Sequence, residues 1–260
     1  MDIASLTVAE IKRMAKGPDG PEEEMLRAME RDARAGVRQL YLQYEKRRQR
    51  ILEEEARLNR LFQYEDALGR LGISSVAGVD EAGRGPLAGP VMAAAVILPP
   101  GVRMPGLNDS KQLTPVKREA LAADIKKLSK AWAIGVSTVS EINDLNIHQA
   151  SLLAMRRAVL GLAFKPDHIL VDGRCQTGLD MPETPVVGGD GLCASIAAAS
   201  ILAKVARDNL MELCHHLYPE YGFHRHKGYG TAEHLEALRR FGPSPLHREG
   251  FAPVKNCLPD

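Results

Sequence analysis

Two apolar runs that read as β-strands enclose the sequence V-D-E-A-G-R-G-P-L-A-G-P at positions 79–90. Asp80 and Glu81 end the first run, and a Gly-Arg-Gly turn follows them at once. Adjacent strand residues point to opposite faces, so two acids at a strand end are held together only with a compensating charge, usually a divalent metal ion. The glycines let backbone approach a ligand closely, and the arginine suits phosphate. The sequence therefore predicts metal-dependent phosphodiester chemistry at the edge of a sheet.

Strand-like and helix-like segments alternate from about residue 73 onward. Thr114-Pro115 has the form of a helix N-cap followed by proline at the first helical position. The segment 192–217 is rich in alanine and leucine, so we expect a helix buried against a sheet. The predicted strands are 74–80, 90–98, 131–139, 168–172 and 184–188, and the predicted helices are 115–129, 140–163, 192–217 and 231–240. This order favours a mixed α/β layer structure.

Residues 1–70 have a different character, with interleaved acidic and basic residues and little strand-like sequence. A break at 17–21, G-P-D-G-P, separates a short predicted helix over roughly 7–16 from a long one over roughly 22–58. Apolar residues recur along the long segment at helical spacing; they are Val37, Tyr41, Tyr44, Ile51, Leu58 and Phe62. Either this region is a solvated helical hairpin, or it is an accessory element that binds nucleic acid or a partner through the basic run Lys46, Arg47, Arg48 and Arg50.

The composition limits the class of protein. The 260 residues are 45% hydrophobic, enough for one large core with an appendage, and the net charge of +1 restricts any nucleic-acid surface to a local patch. Four cysteines without C-x-x-C spacing indicate free thiols rather than a zinc site or disulfide framework. No apolar run is long enough to span a bilayer, and the N-terminus does not read as a secretory signal. We expect a cytoplasmic protein.

Three further acids stand near helices or strand ends. Asp172 closes the strand-like H-I-L-V-D, a position common for active-site groups. Asp190, in V-V-G-G-D-G, reads by itself as part of an ordinary turn that approaches a helix. Asp208 lies in mid-helix beside Arg207 and reads as a structural ion pair.

The string D-E-A-G-R-G-P-L-A-G-P resembles the signature of the type 2 ribonucleases H, specifically bacterial ribonuclease HII. The resemblance covers roughly residues 73–256 and implies a ribonuclease H-like mixed sheet flanked by helices. It also implies a catalytic and metal-binding quartet at Asp80, Glu81, Asp172 and Asp190. Four carboxylates offset most of the charge of two divalent ions, Mg²⁺ or Mn²⁺.

The resemblance further implies which residues bind the substrate. Gly83, Arg84 and Gly85 correspond to the turn that contacts the 2′-hydroxyl and a flanking phosphate, the hydroxyl being what distinguishes RNA from DNA. Tyr229, in H-K-G-Y-G-T, matches the tyrosine that recognises a ribonucleotide followed by a deoxyribonucleotide. Lys111 in N-D-S-K-Q-L, together with Lys227, is expected to contact phosphate.

These expectations describe an endoribonuclease that cleaves the RNA of RNA/DNA hybrids and nicks 5′ to single ribonucleotides in duplex DNA, leaving 3′-hydroxyl and 5′-phosphate ends. Primer removal and ribonucleotide excision would be its roles. Residues 1–70 would form a helical accessory extension and 71–260 the catalytic domain with C-terminal helices. We expect a monomer without a membrane partner. The alternatives are a ribonuclease HIII-like nuclease, a non-catalytic hybrid-binding protein, and another metal-dependent phosphoryl-transfer enzyme.

Overall fold

The computed structural model describes residues 3–16 and 20–257. Its chain divides into two compact units, Met1–Arg57 and Leu58–Asp260. Within the described ranges, no helix is both long and apolar enough to cross a membrane.

The first unit is helical, as the sequence predicts, and contains α1 (Val8–Met14), α2 (Glu23–Glu30) and most of α3 (Ala35–Leu61). A capping box begins α1, since the side chains of Thr7 and Glu10 each accept a backbone N–H from the other residue. The predicted break at 17–21 falls mainly on residues 17–19, which lie outside the described ranges.

The prediction of one helix over 22–58 is wrong, because the chain leaves the helix between α2 and α3. There the carboxylate of Asp32 accepts both the backbone N–H and the guanidinium of Arg34, at 2.8 and 2.6 Å. Local hydrogen bonds of this kind compete with the helical ladder. The apolar stripe is only partly buried, since Val37 is enclosed but Ile51 is 49% exposed.

The second unit is built on a mixed five-stranded sheet in the order β3-β2-β1-β4-β5. Its strands are β1 (Val76–Ala82), β2 (Val91–Ile97), β3 (Ala131–Ser137), β4 (His168–Asp172) and β5 (Glu183–Val186). β2 pairs antiparallel with β1 and β3, whereas β4 pairs parallel with β1 and β5. All five predicted strands are confirmed.

Helices cover both faces of this sheet. In chain order they are α4 (Gln63–Arg70), α5 (Pro115–Leu128), α6 (Val139–Leu145), α7 (Ile147–Leu160) and α8 (Ala194–Leu217). Along β2, Ala94 and Val96 pack in one core with α5 and α8, whereas Ala95 and Ile97 pack in another with α7. The alternation follows from the two-residue period of a strand. The predicted burial of α8 is confirmed, and the unit is a three-layer α/β/α structure.

The prediction of one helix over 140–163 is wrong, because Asn146 separates α6 from α7. Its backbone has φ of 73°, a conformation that asparagine tolerates better than most residues. Its side chain accepts the N–H groups of His148 and Gln149 and so caps α7. One residue therefore ends the first helix and begins the second.

The C-terminal part contains α9 (Phe223–His226), α10 (Ala232–Phe241) and α11 (Ala252–Lys255). The predicted helix over 231–240 is confirmed as α10. The sequence did not predict α9 and α11, since four residues make about one turn and show no helical periodicity. It also did not predict α4, where Glu65 accepts the backbone N–H of Ser195 at 2.8 Å and so caps α8 from another element.

Candidate active site

The parallel pairing of β1 and β4 places three predicted carboxylates side by side. The last paired residues are Val79 and Val171, and the next residue on each strand is an acid, Asp80 or Asp172. Glu81 follows on β1, which continues to Ala82. Neighbouring strands lie about 4.8 Å apart, so the two aspartates crowd each other at one sheet edge.

Asp80 is the most enclosed of these acids, with 5% of its surface exposed. It accepts the backbone N–H of Glu81 at 2.7 Å and a hydrogen bond from Ser200. Burial, reinforced by the charges of Glu81 and Asp172, raises its pKa well above the usual range. Burial also raises the pKa of Glu81 and of Asp172. The site therefore concentrates more negative charge than its own surroundings stabilise.

A cleft of about 250 Å³ opens above these carboxylates. Eight of the predicted site residues line it: Asp80, Glu81, Gly83, Arg84, Gly85, Lys111, Asp172 and Tyr229. Ser110, Ser200, Lys204 and Arg207 complete most of its wall. The structure thus brings together residues that are up to 149 positions apart, from Asp80 to Tyr229.

Asp190 and Lys111 form an ion pair beside this cleft, with 3.0 Å between Lys111 Nζ and Asp190 Oδ2. The bond raises the pKa of Lys111. Asp190 lies on a 3-10 turn, Gly189–Gly191, and its charge contributes to the raised pKa of Asp172. The fourth predicted carboxylate is therefore close to Asp172, but a lysine ammonium is bonded to it.

Lys227 is not among the residues that line the cleft. Its ammonium donates to Glu212 Oε1 at 2.8 Å and to the carbonyl of His224 at 2.7 Å. Asp208 bonds to Lys204 at 2.7 Å and to Arg118 at 3.5 Å, which confirms the predicted structural ion pair.

The Gly-Arg-Gly turn packs on a buried arginine that the sequence did not single out for this purpose. Gly83 has φ of 96°, and a Cβ there would lie 2.1 Å from Nε of Arg207, so only glycine fits. The guanidinium of Arg207 donates to the carbonyls of Ala88, Pro90 and Lys227, at 3.0 to 3.1 Å. Arg207 therefore supports the turn, and only 1% of the surface of this residue is exposed.

Two other residues near the turn carried no sequence signal. Arg248 is fully buried and donates to carbonyls of the loop 83–89. Ser200 bonds to both Asp80 and Ser110, with 2.9 Å between the two hydroxyl oxygens. A basic residue after an irregular segment, or a serine within an apolar helix, has many ordinary explanations, so neither could be found by pattern.

The donor set fits a hard divalent cation in its chemistry. Within residues 3–16 and 20–257, no three His, Cys, Asp or Glu side chains already converge as ligands of one ion. The crowded oxygens of Asp80, Glu81 and Asp172 are nevertheless the donors that Mg²⁺ and Mn²⁺ prefer. Glu81 instead contacts Arg84 at 3.1 Å, as Asp190 contacts Lys111, so cationic side chains neutralise part of the charge.

Solved structures share this architecture. The ribonuclease H2 from Pyrococcus horikoshii OT3 superposes with a TM-score of 0.61 at 26% identity, over 70% of this chain and 96% of that one. A ribonuclease HIII, Bst-RNase HIII in complex with Mn²⁺, has a TM-score of 0.53 at 21% identity, over 74% and 71% of the two chains. The sheet and its helices therefore define a ribonuclease H fold, as the family resemblance implies.

Sequence comparisons narrow this class. The family model for Ribonuclease HII matches residues 77–254, and the model for the Ribonuclease HII N-terminal domain matches residues 7–69. A Ribonuclease HII from Pelotomaculum thermopropionicum is 57% identical over 257 residues, which cover 98% of this chain and 97% of that one. The chain belongs to the ribonuclease HII family and is a ribonuclease H enzyme. The resemblance expected over 73–256 thus extends into the helical N-terminal region.

Proposed function

We propose that this enzyme is a metal-dependent endonuclease that hydrolyses the RNA strand of RNA/DNA hybrids and nicks duplex DNA on the 5′ side of a single ribonucleotide. The products would carry 3′-hydroxyl and 5′-phosphate ends, as primer removal and ribonucleotide excision require. The observation that carries this proposal is the crowding of Asp80, Glu81 and Asp172 beside the Gly-Arg-Gly turn in one cleft. That arrangement combines a cation site with backbone suited to reading a ribose.

In this proposal Asp80, Glu81, Asp172 and Asp190 hold two divalent ions, Mg²⁺ or Mn²⁺. Bound at such a site, two ions stabilise the attacking and the leaving oxygens of an in-line phosphodiester displacement. The carboxylates would hold the cations, and the scissile phosphate would be held through them. Ser200 orients Asp80 through its hydrogen bond. Asp190 joins the site when Lys111 exchanges it for a substrate phosphate.

Substrate recognition is assigned to two elements of the cleft. Gly83, Arg84 and Gly85 present backbone and a half-exposed guanidinium to the ribose and its flanking phosphate. Tyr229 is 46% exposed and recognises the junction between a ribonucleotide and the following deoxyribonucleotide. Lys111 contacts phosphate with a side chain that is 78% exposed, and Lys227 does so only if it leaves Glu212.

We further propose that residues 1–70 are an accessory extension of a catalytic domain formed by 71–260, and that the enzyme acts as a monomer in the cytoplasm. Lys46, Arg47 and Arg50 support an accessory role in nucleic-acid binding, because all three are exposed on α3.

Cleavage of a DNA duplex that contains one ribonucleotide tests the proposed function. The assay compares Mg²⁺, Mn²⁺ and chelator, and it maps the nick and its ends on a sequencing gel. A metal-dependent nick 5′ to the ribonucleotide is expected. A preference for continuous RNA/DNA hybrid without that nick would instead support the specificity of ribonuclease HIII, and binding without any cleavage would indicate a hybrid-binding protein.

Replacing Tyr229 by phenylalanine tests the assignment of the specificity residue. We expect the substitution to reduce the cleavage rate more on the single-ribonucleotide duplex than on continuous hybrid, because only the former presents the junction immediately after one ribose. Replacement of Tyr64, a 39% exposed tyrosine of α4, by phenylalanine is the matched control. An unchanged substrate preference in the Tyr229 variant would remove the assignment.

A further inference from the structure

The segment 244–248 contacts one of the elements to which recognition is assigned directly, and it reaches the other through Leu87 and His234. These elements are the Gly-Arg-Gly loop, residues 83–89, and the Gly-Tyr-Gly turn, residues 226–231. Arg248 N–H donates to the carbonyl of Leu87 at 2.9 Å, and Leu246 accepts the N–H of Gly89 at 2.8 Å. Leu87 in turn donates to the carbonyl of Gly228 at 2.8 Å. The three segments are distant in sequence but joined by backbone hydrogen bonds.

Arg248 holds the Gly-Arg-Gly loop from inside. Its buried guanidinium donates to the carbonyls of Gly83, Arg84, Pro86 and Gly89, at 2.5 to 2.9 Å. Five N–H groups in a rigid fork suit this task, whereas a lysine ammonium has three donors on one atom. Burial, and the nearby charge of Arg207, lower the pKa of Arg248 to about 9. Because this guanidinium is fully buried and bonded to four carbonyls, it supports the loop and does not reach a phosphate in solvent.

A chain of hydrogen bonds leads from the neighbouring residue to the Gly-Tyr-Gly turn. The N–H of Ser244 donates to Nδ1 of His247 at 2.9 Å, so the neutral ring carries its proton on Nε2. That Nε2–H donates to Nε2 of His234 at 3.0 Å, which leaves the His234 proton on Nδ1. His234 Nδ1–H donates to the carbonyl of Tyr229 at 2.9 Å. Each bond fixes the tautomer that the next one needs.

The two recognition elements also touch each other. A Cβ at Gly85 would lie 3.6 Å from Cε1 of Tyr229, so the ring stands against the turn. Gly228 has φ of 86°, and a Cβ there would lie 2.6 Å from the carbonyl oxygen of Ala88. A shift of either element would therefore change the space between the tyrosine ring and the glycine backbone.

We propose that the adjacent residues His247 and Arg248 are positioning residues that hold the two recognition elements at a fixed separation. Arg248 sets the carbonyls of the Gly-Arg-Gly loop, and His247, through His234, sets the carbonyl of Tyr229. The inference rests on the proposed function, since it takes the loop and the tyrosine to contact the substrate. It predicts that these two buried residues control substrate discrimination rather than the cleavage step.

Two pairs of variants test the proposal. His247→Gln keeps a donor near the position of Nε2, whereas His247→Leu removes it. Arg248→Lys keeps the charge but not the fork, and Arg239→Lys, at an exposed arginine of α10, is its control. The first readout is the ratio of kcat/KM on the single-ribonucleotide duplex to kcat/KM on continuous hybrid. The second readout is the ratio of binding affinities for a ribonucleotide-containing duplex and for the same duplex made entirely of DNA. Both ratios are independent of the fraction of folded enzyme.

We expect His247→Leu to lower the first ratio by about fivefold or more, while His247→Gln stays within about twofold of the unsubstituted enzyme, since loss of one buried hydrogen bond has an effect of this order. Arg248→Lys should lower the binding preference by roughly tenfold, and Arg239→Lys should not change it. Variants that lose thermal stability or overall rate but keep both ratios would overturn the proposal, because their residues would then be merely structural. If Arg248→Lys does not fold, the comparison of His247→Leu with His247→Gln tests the proposal. A lack of ribonucleotide preference in the unsubstituted enzyme would overturn the proposed function itself.

Discussion

Replacing Asp80 by asparagine is expected to have opposite effects on stability and on activity. The residue is buried beside Asp172, on strands about 4.8 Å apart, without a cationic side chain bonded to it. Burial is the largest cost of ionising Asp80, and unit charges one strand spacing apart would add a repulsion of roughly 3 kcal/mol at an effective dielectric constant of about 20. Asparagine has nearly the same shape, and its carbonyl oxygen can still accept the N–H of Glu81. The metal-free variant should therefore be more stable, by about 1–3 kcal/mol.

A gain of this size raises the Tm of a domain of this length by roughly 3–10 °C. Thermal unfolding in chelator measures it, and the same scan with Mg²⁺ or Mn²⁺ should reverse the order. Metal binding stabilises the folded enzyme by an amount that grows with the logarithm of its affinity, and the variant lacks a ligand. Hydrolysis should fall by about 10³-fold or more, since a metal ligand is lost from the reaction centre.

Asp208→Asn is the matched control, because Asp208 bonds to Lys204 and Arg118. It should lower the Tm in chelator, where Asp80→Asn raises it. The reasoning would be refuted if Asp80→Asn melted below the unsubstituted enzyme in chelator. Equal increases in the Tm of Asp80→Asn and of the unsubstituted enzyme on adding metal would refute it as well, and so would near-normal turnover of Asp80→Asn.

Three further predictions concern the turn, the histidine chain and the phosphate contact. Gly83→Ala should lower the free energy of unfolding by about 2 kcal/mol or more and remove most of the activity, because of the positive φ and the contact with Arg207. Thermal unfolding and cleavage measure the two effects. Gly101→Ala, at a residue with φ of 76° in open space, should lower the free energy of unfolding by only about 1 kcal/mol. Burial lowers the pKa of His247 from the usual 6.5 to about 4, so its contribution to stability is fully present above about pH 6.5 and is lost progressively as the pH falls from 6.5 to 4. Urea unfolding at pH 7.5 and 4.5 should show a loss of about 2–3 kcal/mol from this residue that His247→Gln lacks, and equal losses in both would contradict it. Lys111→Gln should reduce the dependence of substrate binding on salt by about one unit of slope, and Lys227→Gln by less, since Glu212 already binds its ammonium.

Much of the fold could be predicted because its signals are local. Strand runs such as 91–97 and the cap at Thr114 depend on neighbouring residues, and all five strands were found. The predicted helices over 22–58 and 140–163 were too long, and the reason is local as well. Asn146 and Asp32 each interrupt a predicted helix with side-chain bonds to backbone N–H groups of the residues that follow, and an apolar periodicity that continues past them does not show this.

The candidate site also has features that the sequence indicated and features that it did not. The motif around Asp80 indicated the chemistry, and Asp172 was marked by its strand end. The ammonium of Lys227 turned out to bond with Glu212, away from the cleft, because a sequence does not show which of several nearby acids a flexible side chain will meet. The pairing of Lys111 with Asp190 was equally invisible, at 79 residues of separation.

The sequence alone determined the five strands, the helices α1, α5, α8 and α10, and the acidic and glycine-rich motifs, since strand period, capping and motif spacing are properties of neighbouring residues. Only the tertiary structure decided which side chains support those motifs. Arg207 and Arg248 bind backbone carbonyls, which every residue has, so no partner residue type marks them in the sequence. Their role follows from burial, because an enclosed guanidinium must find acceptors, and the loop that carries Gly83 supplies them.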